Sequence, residues 1–263
     1  MVENIKAPRG YILDLDGCVY VEDRPTKGAR EFLKHLRDRK KKLAFLTNNS
    51  SMTTPVIVRN LAAMGMGAEE REIITPIAWA GEFIRERFGT SAVFHLGIPE
   101  TKRYIETWGH RFTEVPRDEC GVVLLSCDLS LSYERLDRAV NFLRAGAALV
   151  VTNGDPVRPG RNGELRMETG ALLAALTSCV SKKPLIIGKP SPYLFDKALK
   201  EMDLPPEAVL MIGDTPSTDI AGGRAAGIQT ALLDPLNKHT PESSGADFIF
   251  ADLRAVLKYL SSL

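Results

Sequence analysis

Short apolar runs alternate with stretches of helical rhythm along nearly the whole chain, and few architectures accept that pattern. The runs at 11–15, 43–46, 73–74, 92–96, 122–125, 148–152, 185–187, 209–212 and 230–233 have the length and aliphatic content of buried strands. Between them apolar residues recur at helical spacing, as at Ala29, Phe32, Leu33 and Leu36 within 28–40. Further helices are expected at 56–64, 79–88, 100–108, 133–143, 169–180, 191–202 and 219–226. A strand that is apolar throughout is buried on both faces, and a helix between two strands brings the second back parallel to the first. The expectation is an α/β protein built on doubly wound parallel sheet.

So many strands exceed one sheet of ordinary size. Four polar motifs cluster in the first quarter and the last third of the 263 residues, and the middle, roughly 80–182, contributes a different set. The organisation expected is a discontinuous core, 1–79 and 183–263, with a second α/β domain, 80–182, inserted into it.

Composition narrows the class further. A formal net charge of +1 gives no global field towards nucleic acid or a membrane surface. No apolar run approaches the length needed to span a bilayer, and residues 1–10 carry charge without the apolar core of an export signal. A cytoplasmic protein is expected, with neither nucleic acid nor membrane as partner. Cys18, Cys120, Cys127 and Cys179 match no zinc or disulfide spacing, and are read as buried reduced thiols. Four scattered histidines argue against a histidine-based metal site or triad. Trp79 and Tyr133 are read as packing residues.

Four loops at the ends of predicted strands carry the chemistry. Asp14-Leu15-Asp16-Gly17 closes the first strand. Two acids one residue apart repel unless a cation holds them or one keeps its proton, and the pair suits a carboxylate nucleophile with an acid/base partner. Thr47-Asn48-Asn49-Ser50-Ser51 follows the second strand and offers a hydroxyl and amide N–H groups to phosphate oxygens. Gly188-Lys189-Pro190-Ser191-Pro192 holds a lysine between a glycine and a proline. Gly213-Asp214-Thr215-Pro216-Ser217-Thr218-Asp219 adds two carboxylates suited to a hard cation. Ligands in open parallel sheets sit at strand carboxyl ends, so the four loops can converge on one crevice.

The order DLDG, TNNSS, GKPSP, GDTPSTD resembles the haloacid dehalogenase superfamily of aspartate-dependent phosphatases. The long insertion between the second and third motifs is similar to the subclass with a large α/β cap on a Rossmann-like core. Thr152-Asn153-Gly154-Asp155 resembles that subclass's cap loop, although proline is usual where Gly154 stands. Cys18 stands where threonine or a small aliphatic residue is usual.

The resemblance implies a set of roles. Asp14 attacks phosphorus and forms an aspartyl phosphate, while Asp16 protonates the leaving alcohol and later deprotonates water. Mg²⁺ is held by Asp14, the Asp16 backbone carbonyl and Asp214, with Asp219 holding Asp214 or a metal-bound water. Thr47, the Asn48 backbone and Lys189 bind the phosphoryl group. The cap closes over the site, with Asn153 and Asp155 as the residues expected to meet the organic part of the substrate. Arg158, Arg161 and Arg166 form a loop that either attracts anionic substrates or is solvated surface. Caps in that subclass often pair with one another, so the resemblance allows a homodimer through the cap and leaves the oligomeric state open. The expected partner is a small phosphate ester, such as a sugar, glycerol, glycolate or nucleotide phosphate. Three competing readings remain: a phosphotransferase or mutase using the same aspartyl phosphate, a receiver-type regulatory module, and a non-hydrolytic phosphate-ester binding protein. The length and the cap-sized insertion argue against a receiver. No P-loop signature is present.

Overall fold

The computed structural model describes residues 8–115, 119–159 and 164–262, which divide into two compact units. One holds the chain up to Thr47, Thr54–Ile74 and everything from Lys189 onward; the other holds Asn48–Thr53 and Thr75–Gly188. The junctions therefore fall at 74/75 and 188/189 rather than at 79/80 and 182/183, and the TNNSS loop beyond Thr47, Asn48–Thr53, groups with the inserted unit. The first shift has a local cause. The Thr75 hydroxyl accepts from Ala78 N–H and Pro76 opens the helix Pro76–Phe88, so the whole helix is one element of the inserted unit.

In chain order the strands are β1 (Gly10–Leu13), the hairpin pair β2 (Tyr20–Val21) and β3 (Arg24–Pro25), β4 (Lys42–Leu46), β5 (Ile73–Ile74), β6 (Ala92–Leu96) and β7 (Arg111–Phe112). They continue with β8 (Val122–Leu125), β9 (Ala148–Val151), β10 (Val157–Pro159), β11 (Leu165–Met167) and β12 (Leu185–Ile186). The last are β13 (Val209–Gly213), β14 (Gln229–Leu233) and β15 (Phe248–Phe250).

The first unit is built on a six-stranded sheet in the order β15-β14-β13-β1-β4-β5. Every pairing in it is parallel. The chain winds outward from β1 through β4 to β5, then returns to the other side of β1 for β13 to β15. That reversal places the topological switch at β1 and β13, where a crevice opens at the strand carboxyl ends. Register brings the ends level: Leu13 lies opposite both Ile212 and Phe45. All four residues of β1 are buried, as an apolar central strand must be. The helix Ala29–Asp38 lays Phe32, Leu33 and Leu36 on the core, and Phe32 meets the Tyr11 ring edge-on at 5.9 Å.

The inserted unit has its own five-stranded parallel sheet, β12-β9-β8-β6-β7, and a separate antiparallel hairpin, β10-β11. Phe94, Leu125, Phe142, Leu149 and Leu176 belong to its core.

The α/β class and parallel sheets predicted from the alternation are what the chain forms. Several elements escaped the pattern because they are too short to show a period: β2, β3, β7, β10 and β11. The C-terminal β15 and the helix Leu253–Leu260 were also not foreseen, although Asp252 caps that helix through Ala255 N–H at 2.9 Å. Two expectations about packing are corrected. Tyr133 is 85% exposed, because it opens the helix Tyr133–Arg144 whose buried residues are Ala139, Phe142 and Leu143. Cys18 and Cys127 are buried thiols, but Cys120 is half-buried and Cys179 is exposed.

Candidate active site

Asp14 emerges directly from β1, with its N–H donated to Ile212 O at 2.9 Å, so the sheet itself fixes where the carboxylate starts. The chain then turns at Gly17, whose φ of 93° lies in the left-handed region. A second requirement acts on this glycine: a Cβ there would fall 2.1 Å from an Asp214 carboxylate oxygen. Gly213 has the same function towards Asp219, since a Cβ would fall 2.3 Å from that carboxylate. Two glycines at two strand ends thus make room for two acids.

Lys189 lies among these acids. Its ammonium donates to Asp14 Oδ1 at 2.5 Å and to Asp219 Oδ1 at 2.6 Å, and the lysine, Asp14 and Asp219 are all buried. Burial by itself favours the neutral amine, but the two carboxylates outweigh it and raise the lysine above its ordinary value. It is therefore a fixed positive charge. Burial also pushes the Asp14 carboxyl up; Lys189 opposes that shift, while Asp219 and Asp214 add to it. Asp214 is pushed up to about 6, first by burial and then by Asp219.

Asp219 supports the loop around Asp214. Its Oδ2 accepts the N–H groups of Asp214 and Thr215 at 3.2 and 3.0 Å, and the Thr215 hydroxyl donates to Asp214 Oδ1 at 3.1 Å. Asp219 sits in a π-helical turn, Pro216–Ile220, of the kind found at functional sites. Asp16 is exposed, and its Oδ2 accepts from the Thr47 hydroxyl at 3.5 Å. Thr47 is held at the end of β4, its N–H donated to Ile74 O at 3.1 Å.

Carboxylate oxygens of Asp14, Asp214 and Asp219 lie within 4.8 Å of one another. Three crowded acids against one lysine leave net negative charge, and an all-oxygen set suits a hard octahedral divalent cation rather than zinc. The residues present fit Mg²⁺.

The remaining expected residues belong to the inserted unit. Asn48 is joined to Thr47 by one peptide bond, yet its side chain donates to Asp155 Oδ2 at 2.9 Å. Asn153 is fully buried and donates to Asn48 O at 2.8 Å. Arg158 is paired with Glu168 at 3.0 Å, and Arg166 lies opposite it in the β10-β11 hairpin, exposed. Arg161 lies outside the described residues. Cys18 is fully buried against Ile212 O at 3.6 Å. Burial first, and then Asp14, Asp214 and Asp219, push its thiol well up and keep it protonated. The two glycines that admit the carboxylates were not singled out from sequence, where only their place beside the acids was visible.

Two family profiles match the chain: haloacid dehalogenase-like hydrolase over residues 11–111, and HAD-hydrolase-like over residues 186–256. A 5′-nucleotidase of Bacillus subtilis is 31% identical, covering 87% of this chain and 88% of its own length. An acid sugar phosphatase of Staphylococcus saprophyticus is 30% identical, covering 97% and 99%. Among solved structures, a 4-nitrophenylphosphatase from Thermotoga maritima superposes with a TM-score of 0.86 at 33% identity, covering 97% of this chain and 98% of that one.

Proposed function

This chain belongs to the haloacid dehalogenase-like hydrolases, as a hydrolase of phosphoric monoesters, and from that premise we propose that it is a Mg²⁺-dependent phosphatase of small phosphate esters, working through an aspartyl phosphate on Asp14. The observation that carries the reading is the buried lysine shared by Asp14 and Asp219, with Asp214 alongside. Such a cluster holds one carboxylate at a fixed position beside a fixed cation, which is what attack on a phosphate dianion requires.

In the first half of the reaction an Asp14 oxygen forms a bond to phosphorus as the bond to the ester oxygen breaks, and Asp16 gives its proton to the departing alcohol. In the second half Asp16 takes a proton from water as the water oxygen bonds to phosphorus, and the Asp14–phosphorus bond breaks to release phosphate. Lys189, the Thr47 hydroxyl and the N–H of the Thr47–Asn48 peptide offset the charge on the transferring group. Asp16 is exposed and so placed to exchange protons with solvent and substrate. Asp14, Asp214 and the Asp16 carbonyl would hold Mg²⁺, with Asp219 supporting the loop, and the ion would supply charge neutralisation there.

The relatives' names span nucleotide, sugar-phosphate and nitrophenyl esters, which share the phosphoryl group and little else. Support for the reading is therefore strongest for that group, and small phosphomonoesters are the substrate class proposed. The test is phosphate release from a panel of metabolite phosphates. Asp14→Asn is expected to lose activity by on the order of a thousandfold or more with its circular dichroism unchanged. Wild-type turnover in that variant would refute the nucleophile.

A further inference from the structure

Asn153 and Asp155 were expected to meet the organic part of the substrate, but their hydrogen bonds point elsewhere. Asn153 has no exposed surface. Its Oδ1 accepts Asp155 N–H at 3.2 Å, which fixes the amide so that Nδ2 faces away. That Nδ2 donates to Asn48 O at 2.8 Å and lies 3.4 Å from Ser50 Oγ. Asp155 completes the loop by accepting from Asn48 Nδ2 at 2.9 Å. Asn48 is thus gripped at its carbonyl and its side chain by two residues of one turn. Ser50 is held as well: its Oγ accepts Cys127 N–H at 3.1 Å and lies 3.3 Å from Thr169 Oγ1.

The same knot includes Gly188. Its N–H donates to Thr152 O at 2.8 Å, and a Cβ at this position would fall 2.4 Å from Asn48 Oδ1 and 2.5 Å from Thr152 O. Only glycine lets the three segments meet. Asn48 is bonded to Thr47, and Gly188 to Lys189. The turn at 152–155 therefore fixes the residue next in chain to each of two phosphate-binding side chains.

We propose that Asn153 and Asp155 are positioning residues for phosphate binding: they hold Asn48, and with it the N–H of the Thr47–Asn48 peptide, rather than reading the leaving group. This rests on the phosphatase reading above. A group shared by all substrates is then what these side chains serve, so their loss must be felt equally by all of them. A donor displaced by about an ångström can cost on the order of a hundredfold in rate.

The experiment uses the full chain with Mg²⁺. Kinetics are measured on p-nitrophenyl phosphate, a hexose phosphate and a nucleoside monophosphate, with inorganic phosphate as competitive inhibitor. The variants are Asn153→Asp, which keeps shape but turns an oxygen towards Asn48 O, together with Asp155→Ala and Asp155→Asn. The expected result for Asn153→Asp and Asp155→Ala is a fall in kcat/KM of about tenfold to a hundredfold, the same factor on each ester, with phosphate inhibition weakened in parallel. Asp155→Asn can still present an oxygen to Asn48 Nδ2 and is expected to stay within a few-fold of wild type. Asp155 is only half-buried, so its variants serve even where Asn153→Asp does not fold. Losses that differ more than tenfold between esters, with phosphate inhibition intact, would overturn the proposal in favour of leaving-group recognition. Wild-type kinetics in both Asn153→Asp and Asp155→Ala would overturn it too. A wild-type enzyme inert on all three esters would instead remove the phosphatase reading beneath it.

Discussion

At the scale of the residue, the site depends as much on missing side-chain atoms as on present ones. Gly17→Ala would place a methyl group 2.1 Å from an Asp214 oxygen while also straining a backbone at φ 93°. Asp214 must then move, and the expected outcome is at least a tenfold rise in the Mg²⁺ concentration needed for half-maximal activity, read from a metal titration. A different residue contributes to the response to acid. His95 is buried beside Ser126 Oγ at 3.0 Å, and burial, helped by Arg135 and opposed by Asp128, lowers it to about 4. The unfolded chain protonates this histidine near 6.5, so the unfolded state gains a proton first as pH falls. Its contribution is complete above about 6.5 and erodes down to about 4, by on the order of 3 kcal/mol. Urea unfolding at pH 7.5 and pH 5 is expected to show about 2 kcal/mol of this loss, the part that falls between 6.5 and 5, and His95→Gln to show a smaller one.

At the scale of the element, helix ends decide where the chain changes direction. Asp252 accepts from Ala255 N–H at the start of the helix Leu253–Leu260 and pairs with Lys27 at 2.7 Å. Asp252→Ala is expected to cost about 1 kcal/mol in urea unfolding, with turnover unchanged, since the residue touches none of the acids of the site. Thr75 and Pro76 illustrate how such signals place boundaries. They mark the start of an element that apolar rhythm alone positioned a few residues late. The short pairs β2-β3 and β10-β11 were invisible to that rhythm because two or three residues cannot display a period.

At the scale of the whole molecule, the six-stranded sheet of the first unit acts as a frame that collects charges of one sign. Asp14, Asp214 and Asp219 come together because β1 and β13 are neighbours at the switch point. Burying three acids against one lysine disfavours folding, and a cation bound only by the folded state relieves it. Mg²⁺ at about a hundred times its dissociation constant is expected to stabilise the chain by about 2.7 kcal/mol. A thermal-shift assay should record a rise of several degrees, reversed by EDTA and absent in Asp214→Asn. An unchanged melting temperature in wild type would remove the metal from this account. Among the described residues no helix is long and apolar enough to cross a membrane.

The α/β alternation, the parallel sheets and the strand-end loops that carry acids, a hydroxyl and a lysine are legible in the sequence alone, because burial patterns and turn chemistry are local and leave their mark residue by residue. How these groups meet one another comes from the folded chain. Lys189 reaches Asp14 across 175 positions of chain, and Asn153 reaches Asn48 across 105. Nothing local encodes a contact at such separation; it follows from which strands become neighbours and in what register. That is why sequence offers Asn153 as a residue for substrate, while its hydrogen bond to Asn48 O emerges only in the folded chain.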